Sequence, residues 1–258
     1  MTASAHDLDR GYVLHTYPYL ETSLILQAFT ERHGRLGLVA KGARRPRSAT
    51  RSLLVPFQPL ALAWFGRGEL KTLKTAEPGG PALPLAGAAL LAAFYLNELL
   101  LKLTHRDDPH EGLFAAYHDA IGELRALSRA AAKPPAESVE PVLRRFEVRL
   151  LRELGYALEL TREAGGHAPI VAEREYLYVV ERGAVPAAEG QAPQANAVKL
   201  RGLTLQHLER GELGDPVTAT QAKQLMRLII HHVLNGEELA TRNLARDLQR
   251  LENGEAAR

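Results

Sequence analysis

The segment Glu77-Pro78-Gly79-Gly80-Pro81 divides the chain into two kinds of sequence that no single repeating architecture accommodates. Before it, apolar residues alternate with the period 2 of half-buried strands. After it, alanine and leucine dominate and recur with helical spacing. The first part predicts five strands, over 11–17, 22–30, 35–41, 53–65 and 69–75, separated by turn residues such as Pro18, Gly34 and the Gly66-Arg67-Gly68 run. Short strands joined by tight turns in so small a domain favour a closed barrel, which leaves few exposed edges.

One connection in that barrel is unusual. Lys41, Arg44, Arg45, Arg47 and Arg51 put five cations into eleven residues, with Gly42 ending the preceding strand and Pro46 disfavouring helix. Apolar character returns at Leu53, Leu54, Val55 and Phe57. The stretch thus reads as a basic loop mounted between two strands. Residues 31–75 hold ten Lys and Arg against Glu31 and Glu69, a local net of +8. The whole chain carries only +2, so the remaining residues sum to −6. Cations concentrated on a β scaffold suit a phosphate backbone. Arg35, Lys71 and Lys74 extend the set, and Tyr17, Tyr19, Phe57, Trp64 and Phe65 offer rings on which bases could stack. A merely solvated charged loop is the competing explanation.

Beyond the linker, helices are expected over 86–105, 111–131 and 138–154, the last capped by Ser138 and stopped by Gly155. Another begins at Thr218 or Thr220, and a short one covers 241–251. Between 156 and 196 the helical pattern lapses, and Glu175 to Val180 reads as a strand in a small insertion. On the 138–154 helix, Arg145, Arg149 and Arg152 fall on one face, opposite Leu143, Phe146, Leu150 and Leu154. They form either a second cationic contact surface or a solvated face paired with Glu147 and Glu153.

Catalytic chemistry finds little footing. The chain has no cysteine, which removes thiol nucleophiles, disulfides and thiolate-bound zinc. It contains no G-x-S-x-G elbow, P-loop or G-x-G-x-x-G fingerprint. His105, Asp107, Asp108, His110 and Glu111 could in principle ligate a metal, but their spacing matches no ligand motif and suits a polar interhelix loop. His231 and His232 are adjacent on a helix and point apart. The amino-terminal residues lack the pattern of a signal peptide, and the most apolar run, 83–96, is shorter than the ~20 residues of a membrane span, so a cytoplasmic, nucleoid-associated protein is expected.

Three blocks carry a family resemblance: Tyr19-Leu20-Glu21-Thr22-Ser23, FTERHGRLGLVAKGARRPRS at 29–48, and LLVPFQPLALAWFGRGEL at 53–70. Together they resemble the amino-terminal oligonucleotide-binding (OB) domain of the bacterial RecO family, recombination mediators of DNA repair. FEVRLLRELGY at 146–156 resembles the end of a helix in that family's carboxy-terminal domain. The resemblance implies an OB barrel joined to a helical domain with a small zinc-ribbon-like insertion. It also implies binding of single- and double-stranded DNA, annealing of complementary strands, and work with RecR to load RecA onto DNA covered by single-strand-binding protein (SSB). The chain departs from the family where many relatives carry two cysteine pairs. Here those regions read LELTREAGGHAP and ERGAVPAAEG, and His167 is the insertion's single histidine, so no structural zinc and no cofactor is expected.

The reading is therefore an α+β protein, with a five-stranded OB-type barrel at 1–80 and a mainly α-helical domain at 81–258 with an insertion near 156–196. Its expected function is non-enzymatic DNA binding and strand annealing. Lys41, Arg44, Arg45, Arg47 and Arg51 would hold phosphates, supported by Arg35, Lys71 and Lys74. Arg145, Arg149 and Arg152 would meet the acidic SSB tail. An OB-fold RNA-binding protein and a metal-dependent nuclease using the 105–111 cluster are the alternatives.

Overall fold

A computed structural model describes residues 8–131, 134–156, 158–166, 168–188, 190 and 195–252, with the side chains of 249, 251 and 252 excepted. The chain divides into two compact units, Met1–Ala132 and Lys133–Arg258.

In the first unit, β1 (Asp9–Tyr19), β2 (Ser23–Thr30), β3 (Gly34–Ala40), β4 (Leu60–Phe65) and β5 (Leu70–Pro78) close into a barrel of order β1-β2-β3-β5-β4. All neighbours are antiparallel except β3 and β5, the arrangement of an OB-type barrel. Alternation places Leu26, Ala28, Leu36, Leu38, Leu60 and Leu62 in the barrel interior. The opposite face of β2 is not left to solvent. Phe29 meets Phe114 and Tyr117 of α2 (Glu111–Ala130), and Tyr12 of β1 meets the same rings. Asn97 of α1 (Gly87–Leu103) donates to the Leu14 carbonyl at 2.8 Å and accepts from the Tyr117 hydroxyl at 2.6 Å, so the helices are stitched to β1 by buried polar contacts as well.

The expected strand over 53–65 is shorter than its apolar run. Pro56 and Pro59 remove ladder donors, Phe57 adopts a left-handed φ of 69°, and apart from an isolated bridge between Pro56 and Val13 the ladder begins at Leu60. Leu54 and Ala43 instead join the barrel's core cluster, so the connection seals one end of the barrel with its apolar residues.

The second unit holds α3 (Ala136–Glu153), β6 (Glu175–Val179), β7 (Gly183–Pro186), β8 (Ala197–Arg201), α4 (Gly202–Arg210), α5 (Pro216–Val233) and α6 (Ala240–Glu252), with the strands ordered β7-β6-β8. Two helix starts differ from expectation. Pro135, not Ser138, precedes α3, and the Ser138 hydroxyl donates to the Pro135 carbonyl instead. Asp215 caps α5, its carboxylate accepting from the Thr218 amide at 2.7 Å, because Pro216 has no amide donor to offer and suits the first turn. Glu147, expected on the solvated face, is fully buried beside Arg144 at 2.8 Å.

The insertion is held by hydrogen bonds and apolar packing. Glu159 accepts from the Thr161 amide and hydroxyl and from the Arg162 amide, at 2.6 to 3.0 Å. The Tyr176 hydroxyl accepts from the Val171 amide and donates to Glu163, both at 3.0 Å. Leu160, Ile170, Tyr176, Tyr178 and Ala184 then enter the unit's hydrophobic core. His167 lies outside the described residues. No helix among the described residues is long and apolar enough to cross a membrane.

Candidate nucleic-acid interface

Gly42, with φ of 70°, turns the chain out of β3 and starts a series of tight turns: Arg45 bonds back to Gly42, Ser48 to Arg45, and Arg51 to Ser48. A short 3₁₀ turn at Ala49–Ser52 follows. The loop is fixed at three points. Ala43 is buried in the barrel core between Lys41 and Arg44. The Arg44 amide donates to the Thr22 carbonyl at 2.8 Å and its guanidinium to the Leu20 carbonyl at 3.2 Å, tying the loop to the β1–β2 hairpin. At the far end, buried Arg125 of α2 donates to the Phe57 carbonyl at 2.5 Å, and Phe57 packs edge-on against Phe94.

Lys41, Arg44, Arg45, Arg47 and Arg51 are all exposed, and among the described residues none of the five is in an ion pair. A rigid loop whose cations lack carboxylate partners keeps its full charge for an anionic ligand. Beside it, the outer side of β1 presents His15, Tyr17 and Tyr19 two residues apart, with His15 and Tyr17 rings 4.4 Å apart. Tyr17 is 47% and Tyr19 38% exposed, so both rings are open to stacking. Phe65 is exposed too, whereas Phe57 is buried and Trp64 is half-buried against the His33 ring.

The supporting cations divide. Arg35 spends its guanidinium on the Thr104 carbonyl, at 2.7 and 3.2 Å, and on Gln27. Its burial, and then the nearby Arg106, lower its pKa from the usual arginine value. Lys71 reaches Asp107 at 2.5 Å with only 14% of its side chain exposed. Lys74 remains exposed and lines a cleft of about 230 Å³ with His33, Ala63 and Trp64. The structure therefore brings the five loop cations together and sets Arg35 and Lys71 against the chain that follows α1.

The 105–111 cluster disperses. Asp107 is engaged with Lys71, Asp108 pairs with His110 at 3.2 Å, and among the described residues no three His, Asp or Glu side chains converge as metal ligands. On α3, Arg145, Arg149 and Arg152 are exposed as their spacing requires. Arg149 pairs with Glu153 at 2.6 Å, Arg152 with Glu209 of α4, and the Arg145 stem lies over Gly211. Leu143 and Leu154 are only partly buried on the opposite side.

Sequence reasoning missed three residues here. Leu20 has a left-handed backbone that no rule predicts for leucine, Arg125 shares the buried stripe of α2 with Phe114 and Ile121 although its charge reads as solvent-facing, and buried Asp9, which receives Arg32 and His33, is a lone acid near the start of a strand.

An OB-type barrel that displays a cationic loop, its five cations in no ion pair among the described residues, beside exposed tyrosines has the architecture of an oligonucleotide-binding protein. The class narrows on comparison with known proteins. Residues 6–81 match the family described as Recombination protein O N terminal, and residues 85–242 match Recombination protein O C terminal. The DNA repair protein RecO of Nitrosospira multiformis is 46% identical over 241 residues, covering 93% of this chain and 95% of its own. Those of Ralstonia nicotianae and an Azoarcus species are 47% and 46% identical, covering 93% and 95% of this chain and 84% and 97% of theirs. The chain belongs to the RecO family of DNA repair proteins.

Proposed function

We propose that this protein is a non-enzymatic mediator of recombinational repair that binds single- and double-stranded DNA through the loop after β3 and anneals complementary single strands. With RecR it helps load RecA onto DNA covered by SSB, and it works in the cytoplasm on the nucleoid. The observation that carries the DNA-binding reading is the set of five exposed loop cations without carboxylate partners among the described residues, on a loop anchored at both ends. Annealing needs no bond chemistry. It needs two repelling backbones neutralised while the bases stay free to pair, and Lys41, Arg44, Arg45, Arg47 and Arg51 can do the first. Tyr17 and Tyr19 supply sequence-tolerant stacking, and Lys74 extends the path along β5. Arg35 and Lys71 support it from behind, by fixing β3 and β5 against the chain after α1.

Replacing Arg44, Arg45 and Arg47 together by alanine tests this. Each lost phosphate contact should reduce the log–log salt slope of DNA binding by ~0.7 to 0.9, with weaker binding at every salt concentration. An unchanged slope in a folded variant would move the DNA site off this loop.

The acidic, hydrophobic SSB tail is the protein partner we assign to the second unit, on the α3 stripe of Arg145, Arg149 and Arg152. A carboxylate-rich peptide could exchange for Glu153 and Glu209 at the latter two guanidinium groups.

A further inference from the structure

Leu20, at the tip of the β1–β2 hairpin, is placed in a way that barrel stability does not explain. Tyr19 pairs with Ser23, so Leu20, Glu21 and Thr22 make the turn. Leu20 is 73% exposed and buries nothing useful, yet its φ of 51° lies in the left-handed region that favours glycine. A leucine has no short polar side chain to ease that conformation. It persists because the turn is over-determined from outside: Arg44 holds the Leu20 carbonyl with its guanidinium and the Thr22 carbonyl with its amide. The same residue that belongs to the cationic loop thus fixes the hairpin tip. Tyr17 and Tyr19 lead up to it along β1. Glu21, the next residue, carries a charge that disfavours a phosphate contact at the tip.

We propose that Leu20 is a base wedge. While the loop cations hold the phosphates, the leucine side chain enters at a junction between single and double strand, where one face of the terminal base pair is already open, and separates that pair from the base beyond it. Apolar wedges between base steps are a general means of unstacking DNA, and the cost is least where stacking is already interrupted. The inference rests on the DNA-binding reading of the loop and adds a preference to it. The protein would select tailed duplexes over blunt duplex or uninterrupted single strand, which is where an annealing protein must let a new duplex grow.

The test uses the full chain and a tailed duplex with 2-aminopurine as the junctional base and a fluorescein at the far end. Binding is read by anisotropy and unstacking by 2-aminopurine emission. With the wild-type protein, emission should rise severalfold at saturation. Leu20→Ala and Leu20→Gly should abolish the rise and lower affinity for the tailed duplex by about tenfold, the order expected when a leucine no longer leaves water. Their affinity for the single strand and their salt slope should match wild type. Leu20→Gly suits the left-handed turn, so its melting temperature should be equal or higher, and it decides the matter if the alanine variant folds poorly. Wild-type binding with no emission change, or variants whose emission and junction affinity equal wild type, would overturn the wedge and leave the DNA-binding loop standing. Absence of DNA binding by the wild-type protein would overturn both.

Discussion

Phe57 and Leu20 share a left-handed backbone for opposite reasons. Leu20 is held so by Arg44 and stays in water, whereas Phe57 is held by Arg125 and is buried against Phe94. Neither is legible in the sequence, because left-handed turns are read from glycine and asparagine, and here the tertiary contact supplies what the residue type lacks. Arg125 was equally hidden: an arginine on a long amphipathic helix reads as a solvent residue until its guanidinium is seen spanning 68 positions to a carbonyl. Its removal has a calculable consequence. Arg125→Met should keep most of the packing volume but orphan the Phe57 carbonyl, costing about 1–3 kcal/mol. Urea unfolding should show a lower midpoint with an unchanged slope. DNA affinity should fall as well, since the loop loses its distal anchor. A midpoint equal to wild type would mean that the Phe57 turn holds itself.

Strand periodicity located four of the five barrel strands to within two residues at most ends, and over-extended the fourth. The reason is that alternation records burial, not pairing: Leu54 and Phe57 are buried in a loop with two prolines, and the ladder resumes only at Leu60. Both faces of β2 are covered, Leu26 and Ala28 in the barrel interior and Phe29 against α2. In the second unit, β7, β8 and α4 escaped notice because each is short and their apolar residues are few. The small sheet's surroundings show how such a module is held by hydrogen bonds. Three donors converge on Glu159, and these bonds to Thr161, above all, keep its pKa below the ordinary 4.5. The sign follows: a carboxyl with a depressed folded-state pKa stabilises fully above its unfolded value and loses that contribution as pH falls through the folded one. Stability should therefore decline on acidification from about pH 4.5 downward, and Glu159→Gln should flatten that decline with a matching loss at neutral pH, kept small because the side chain is exposed. Urea midpoints across a pH series would show parallel curves for the two proteins if Glu159 plays no part.

At the scale of the whole molecule, charge separates tasks that one net number conceals. The +8 of residues 31–75 lies within the barrel unit, and the rest of the chain sums to −6. This asymmetry was legible from the sequence alone, since it depends on counting and not on geometry. The cationic stripe of α3 was legible as a face, and its pairing in part: Arg149 meets Glu153 as the spacing suggests, whereas Glu147 is buried in the core and Glu209 of another helix meets Arg152. A stripe in which Arg149 and Arg152 already pair with carboxylates is a weak ligand for DNA phosphates and a reasonable one for an acidic peptide that exchanges like for like. One exposed pair contributes less than ~1 kcal/mol, so single substitutions are a poor test. Changing Arg145, Arg149 and Arg152 together to glutamine avoids placing new acids beside Glu153 and Glu209. The triple variant should bind an SSB-tail peptide more weakly, as read by fluorescence anisotropy. Its DNA salt slope should stay at the wild-type value, since no loop cation has been touched. A slope reduced by ~0.7 to 0.9 per residue would put α3 on the DNA path, and unchanged peptide affinity would reduce the stripe to a solvated face.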